Sequence, residues 1–244
     1  MKESELFSTS DNDIGCIKDF QMEIKLTDEV PVSQPYRRVP RHWYEEVKTH
    51  IADLLKNGWI EKSSSEYSSP IVCARKPNGK LRLCIDYRNL NQKTIPDSQP
   101  IPKIQDILDG LQGQVWFSTL DMSRAYYQGF LDPKSRKYTA FSTPWALYQW
   151  LRIPMGLKNA PPKFQRFTNE CLDELKDKVC SAYMDDILCF GRTFEEHLKH
   201  LGLVLARLRE SGIKLRAEKC HFFKKEVRYL GRRLSCRSFG FYCC

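Results

Sequence analysis

Residues 181–191, Ser-Ala-Tyr-Met-Asp-Asp-Ile-Leu-Cys-Phe-Gly, set two adjacent carboxylates between two apolar runs. The flanking Tyr183, Met184, Ile187, Leu188, Cys189 and Phe190 are large and mostly apolar, which predicts a hairpin buried on at least one face. Asp185 and Asp186 then repel each other beside a sheet, and desolvating them is costly unless a cation neutralises them. A divalent metal would do so. A solvated hairpin tip, where Asp is a common turn residue, is the other reading these residues leave open.

At 244 residues the chain is long enough for one large domain or two intimate subdomains. No run approaches the roughly 18 consecutive apolar residues of a membrane-spanning helix, and the polar start, MKESELFSTSDND, lacks the apolar core of a secretory signal. An intracellular protein, cytoplasmic or nuclear and without a membrane partner, is expected. The formal charge of +9 is uneven: residues 201–233 hold ten Lys or Arg against Glu210, Glu218 and Glu226. That stretch is either a phosphate-binding surface or a solvated basic face. The ten cysteines include no C-x-x-C pair and sit largely among apolar neighbours, so most read as reduced core residues. His197, His200, Cys220 and His221 lack the usual spacing of a zinc site.

Up to about residue 40 the chain is polar and punctuated by proline, an extended arm with little helix of its own. From His42 to Trp59, Val47, Ile51, Leu54 and Leu55 fit an amphipathic helix closed by Asn57-Gly58. Two strand-like runs follow, joined at Pro77-Asn78-Gly79 and ringed by Arg75, Lys76, Lys80 and Arg82, cations that either discourage edge pairing or grip phosphates. A proline-rich linker leads to a short helix at Ile104 to Leu111, then to a strand that ends at Leu120, delivers Asp121 and runs into a helical turn. Residues 135–153 read as strand, and residues 154–165 as a turn entering a helix that runs to about Lys178. Beyond the Asp185-Asp186 hairpin, a helix from Phe194 to about Ser211 carries Leu198, Leu201, Val204, Leu205 and Leu208 on its apolar face. Two strand candidates, KCHFF and EVRYLG, complete an α+β pattern without internal repeats.

An acid at a strand end, Asp121, and a distant acid pair, Asp185-Asp186, are the residue types of a two-metal phosphoryl-transfer site. The ordered series LRLCIDYRNLN, FSTLDMSRAYYQ, PMGLKNAPPKFQ, YMDDIL and RYLG resembles the motifs of reverse transcriptases, in particular those of gypsy-type long-terminal-repeat retrotransposons and their retroviral relatives. The likeness runs from about Ile14 to Leu234.

The resemblance implies fingers and palm subdomains, with an antiparallel palm sheet packed on helices, interleaved through residues 41–234 after an arm at 1–40. It implies that Asp121, Asp185 and Asp186 are catalytic and hold two Mg²⁺ ions, with Mn²⁺ as a substitute. Tyr126 matches the aromatic gate against the sugar of the incoming nucleotide. Arg75, Lys76 and Arg82 match the cations that hold its triphosphate. Met155 and Gly156 match the segment under template and nucleotide, although many retroviral enzymes carry glutamine where Met155 stands. Tyr183 and Met184, with the turn Tyr229-Leu230-Gly231, match residues that position primer and template. The implied partners are an RNA or DNA template with its primer, dNTPs, and the rest of a Pol polyprotein: protease, RNase H and integrase.

After Leu234 the match stops, residues 235–244 read as a divergent tail, and the thumb that such enzymes carry is not legible. Three readings follow: a reverse transcriptase fingers-palm fragment, a catalytically inactive or host-adopted remnant that binds nucleic acid through its basic face, and an RNA-dependent RNA polymerase. Tyr126 and the Tyr-Met-Asp-Asp wording speak against the third.

Overall fold

The computed structural model describes residues 4–17, 19–75, 79 and 81–235. Lys76, Pro77, Asn78 and Lys80 of the expected basic turn, and residues 236–244 of the expected tail, lie outside the described residues. The first elements are β1 (Gln21–Met22), α1 (Tyr44–Lys56), β2 (Ile60–Lys62), β3 (Ser69–Arg75), β4 (Leu81–Ile85) and α2 (Arg88–Lys93). There follow α3 (Ile104–Asp109), β5 (Trp116–Asp121), β6 (Phe130–Leu131), β7 (Phe141–Ser142), β8 (Leu147–Trp150) and α4 (Ala160–Cys171). The last are β9 (Cys180–Tyr183), β10 (Asp186–Gly191), α5 (Phe194–Glu210), β11 (His221–Lys224), β12 (Glu226–Tyr229) and β13 (Arg232–Ser235). No described helix is long and apolar enough to cross a membrane. The chain forms two interleaved compact units, one drawn from residues 4–17, 98–128 and 161–235, the other from 19–97 and 129–160.

The first unit is built on an antiparallel sheet of order β11-β5-β10-β9. Its centre is β10, where Ile187, Leu188 and Cys189 are wholly buried, as their apolar run requires. One side receives α5, whose Thr193 side chain caps the helix by accepting a hydrogen bond from the Glu196 amide. The buried face of α5 is His197, Leu201, Val204 and Leu208, and Leu198, expected there, is 52% exposed. His197 takes the inward place because Ser118 lies 2.7 Å from its Nε2, giving a buried ring a polar partner that leucine would leave unmatched. A second cluster joins Leu108, Leu111, Phe117, Leu188 and Phe190 to the β12–β13 hairpin through Val227, Tyr229 and Leu234. The sequence reading found β12 and missed β13. The expected helix to Lys178 stops at Cys171: the chain breaks into turns in which Asp177 adopts φ 63° and its amide donates to the Cys180 carbonyl. Residues 4–17 belong to this unit, with Leu6 and Ile17 buried and Phe7 paired with Leu215.

The second unit carries a five-stranded sheet of order β2-β8-β7-β3-β4, in which only β3 and β7 run parallel. Helix α1 buries Val47, Ile51 and Leu54 and ends where Gly58 takes φ 64°. Ile60, Ile71, Phe141 and Trp150 form the apolar centre. Residues 135–139, expected as strand, are instead part of a 3-10 turn at Pro133–Thr139. Pro133 opens it, and Asp132 caps it by accepting from the Lys134 amide at 2.9 Å.

Candidate active site

The acid pair sits where β9 hands over to β10. Met184, at the tip, has φ 54°, a left-handed conformation that costs a non-glycine residue about 1–2 kcal/mol. A buried side chain on α4 holds it there. The Gln165 Oε1 accepts from the Met184 amide at 2.7 Å, while its Nε2 donates to the Ala182 carbonyl at 3.2 Å and to Asn169 Oδ1 at 2.9 Å. Strained backbone persists where such surroundings over-determine it.

Pairing of β10 with β5 places Asp186 directly opposite Asp121, so the two side chains share a face of the sheet. Asp185 precedes Asp186, and its carbonyl accepts from the Met122 amide at 3.4 Å. An acid and a distant acid pair thus gather at one end of the sheet. Asp185 is half-buried and Asp186 open to solvent. Desolvation first, then the neighbouring acids, push both carboxyl groups above the usual range. Because both feel the negative charge of Asp121, this direction holds despite the exposure of Asp186. Lys219 is a counter-cation at Asp121, its Nζ 3.0 Å from Oδ2.

A cavity of about 320 Å³ opens here, lined by Asp121, Asp186, Lys219, His221, Arg228 and Tyr229 among others. Among the described residues, no three His, Cys, Asp or Glu side chains are gathered closely enough to enclose an ion by themselves. A hard divalent cation such as Mg²⁺ asks for less, since one or two carboxylates suffice when water and substrate oxygens complete its shell. Carboxylates that crowd one another fit that demand.

Tyr126 lies in the 3-10 turn Ala125–Gln128, half-buried, its ring edge-on to Phe164 at 5.4 Å. Burial, and then the nearby Asp185 carboxylate, push its phenol up to about 12. Tyr229 is only 3% exposed, and its hydroxyl donates to the Asp186 carbonyl at 3.3 Å. The following turn is made by Leu230 at φ 50° and Gly231 at φ 76°. Tyr183, Met184, Tyr229, Leu230 and Gly231 all belong to the unit that holds the acids.

Arg75, Arg82, Met155 and Gly156 belong to the second unit. Arg75, at the end of β3, donates to the Gly79 carbonyl at 3.1 Å and lies 5.6 Å from the centre of the Trp43 ring. Arg82 on β4 is exposed, with no partner among the described residues. Met155 is 50% exposed, and Gly156 takes φ 97°. The Asn91 amide fixes that turn by donating to the Gly156 carbonyl and accepting from the Lys158 amide, both at 2.8 Å.

The family described as "Reverse transcriptase (RNA-dependent DNA polymerase)" matches residues 74–234, about two thirds of the chain. The chain belongs to the reverse transcriptase family. It is 42% identical over 214 residues to the retrovirus-related Pol polyprotein from transposon 297 of Drosophila melanogaster, covering 85% of the chain and 20% of that protein. It is 39% identical to the counterpart from transposon gypsy of the same organism, covering 76% of the chain and 18% of that protein. Its fold matches the foamy viral protease-reverse transcriptase in complex with RNA/DNA hybrid at a TM-score of 0.87 and 28% identity, over 96% of this chain and 31% of that one. The chain thus spans about a fifth of the transposon polyproteins it matches.

Three residues that contact the candidate site residues or their backbone escaped sequence reasoning: Gln165, Lys219 and Asn91. Lys219 lay within the basic stretch, a signal of charge without an address. The neutral amides carry no signal in one sequence.

Proposed function

We propose that this domain is an RNA-directed DNA polymerase that adds dNTPs to a primer 3′-OH on an RNA or DNA template. The observation that carries the reading is the register of β10 on β5, with Asp121 opposite Asp186 and Asp185 beside them. Asp121, Asp185 and Asp186 would hold two Mg²⁺ ions, or Mn²⁺ in their place. Bound there, these ions would acidify the primer hydroxyl and offset charge on the phosphates.

The protein's own residues supply position and charge. Arg75 and Arg82, with Lys76 outside the described residues, bind the triphosphate, a task suited to guanidinium forks. The rigid ring of Tyr126 excludes a 2′-OH by overlap and so favours dNTPs. Met155 and Gly156 support template and nucleotide, while Tyr183, Met184 and the Tyr229–Gly231 turn align primer and template. Tyr229 does so from below, through the Asp186 backbone. The domain works within a Pol polyprotein beside protease, RNase H and integrase segments, inside the cell. Having all three acids, it gives the reading of a silent nucleic-acid-binding remnant no observation in its favour.

The test is primer extension by the purified chain on an RNA template with dNTPs and Mg²⁺, beside an Asp185→Asn, Asp186→Asn double variant. Extension by the first and not the second is expected. Extension by both would remove the acids from the reaction.

A further inference from the structure

The loop that carries Tyr126 leaves β5 at Asp121, passes Arg124 at φ 48° and tightens into the turn Ala125–Gln128. No hydrogen bond anchors the Tyr126 hydroxyl among the described residues, so the ring is placed by the backbone of this loop and by its edge-on contact with Phe164. That backbone is closed by one wholly buried side chain. The Gln128 Nε2 donates to the Ser123 carbonyl at 2.7 Å and to the Lys214 carbonyl at 2.9 Å, and its Oε1 accepts from the Lys214 amide at 2.9 Å. One amide therefore bridges both ends of the loop and ties it to residues 213–216, whose Arg216 amide donates to the Asp121 carbonyl at 2.9 Å.

The N-terminal segment backs the same point. The Ile17 amide donates to the Gln128 carbonyl at 3.0 Å, and a Cβ at Gly15 would collide with Gln128 Oε1 and with the backbone at Gly212 and Lys214. Asp13 forms an ion pair with Lys214. A glutamine suits this place because donor and acceptor are needed together: glutamate at neutral pH offers no donor to the two carbonyls, and methionine offers neither.

We propose that Gln128 is a positioning residue that sets the gate, holding Tyr126 where it separates deoxyribonucleotides from ribonucleotides. The inference rests on the polymerase reading above and deepens it. Gln128 touches no substrate. It acts through the loop.

The test compares the whole chain with Gln128→Met, Gln128→Glu and Gly15→Ala variants. Val204→Ala, a cavity in buried α5, serves as a stability control. Two quantities are read: amide hydrogen exchange resolved by segment, and the ratio of dNTP to rNTP incorporation. Exchange over 122–128 and 213–216 is expected to quicken about tenfold or more, with α5 unchanged, as befits loss of buried hydrogen bonds in one local unit. The incorporation ratio should fall in all three variants and hold in Val204→Ala. Gly15→Ala keeps the glutamine but crowds it and the Gly212–Lys214 backbone it bonds, so a signature shared with the two Gln128 variants would point to the geometry of the loop. An unchanged ratio, or exchange that quickens evenly across the unit, would overturn the proposal. Should the wild-type chain extend no primer, the polymerase reading fails separately, and local against even exchange still decides whether Gln128 positions the loop.

Discussion

Two hairpins carry the charges of the proposed chemistry, and they are built in opposite ways. The β9–β10 hairpin holds its acids against strands whose Ala182, Ile187, Leu188 and Cys189 are at most 1% exposed, with Gln165 clamping the tip. The β3–β4 ribbon presents Arg75 and Arg82 from strands whose Val72, Cys73, Leu83 and Cys84 are only half-covered. Like charges crowded at a buried edge need a fixed frame, because carboxylates must meet a cation at set distances. Cations that greet a phosphate need reach rather than a frame, and exposure keeps their desolvation cost low.

The first way to break that contrast is to remove charge from each hairpin. Asp185→Asn should lower the rate of primer extension by about a thousandfold or more, the scale on which charge compensation acts in phosphoryl transfer. Arg82→Ala, measured in the same assay, should act chiefly by raising the dNTP KM. Comparable losses of kcat from both would erase the distinction drawn here.

The frame itself is the next target. Gln165→Leu leaves the Met184 amide and the Ala182 carbonyl without their partner and should destabilise the protein by about 1–3 kcal/mol in a denaturant titration. Met184→Gly removes the left-handed strain, so adding it should recover part of that loss. If the glycine recovers nothing, Gln165 is not holding the backbone conformation. The smallest effect belongs to the ribbon: Arg82→Ala should shift stability by less than about 0.5 kcal/mol, as expected of an exposed side chain without a partner.

The same contrast explains what the sequence could tell. The acid hairpin was legible because apolar flanks around two carboxylates are physically awkward, and awkwardness marks a site. The strand at Asp121 was legible from its apolar run. By contrast, Leu198 and His197 are neighbours on one helix, and periodicity chose leucine for the core. Ser118, 79 residues away, gives the histidine ring a partner that no periodicity reveals. The 3-10 turn at Pro133–Thr139 was hidden by residues that also suit a strand, its local cap at Asp132 outweighing them. Gln165 and Gln128 act through neutral amides on backbone groups distant in sequence, a relation that no composition or spacing encodes.

The central claim is that Asp185 and Asp186 strain this fold until a divalent cation meets them. Thermal melting tests it most directly, across acid to neutral pH and with or without Mg²⁺, in the wild type and in the Asp185→Asn, Asp186→Asn variant. Both carboxyl groups have folded-state pKa values raised above their unfolded ones, so the folded protein binds more protons in that window. Metal-free wild type should therefore lose stability as pH rises through the raised values, and at neutral pH it should melt on the order of a few degrees below the variant. Mg²⁺ should close that gap by stabilising the wild type alone. A metal-free wild type that melts above the variant at neutral pH and ignores Mg²⁺ would contradict the account.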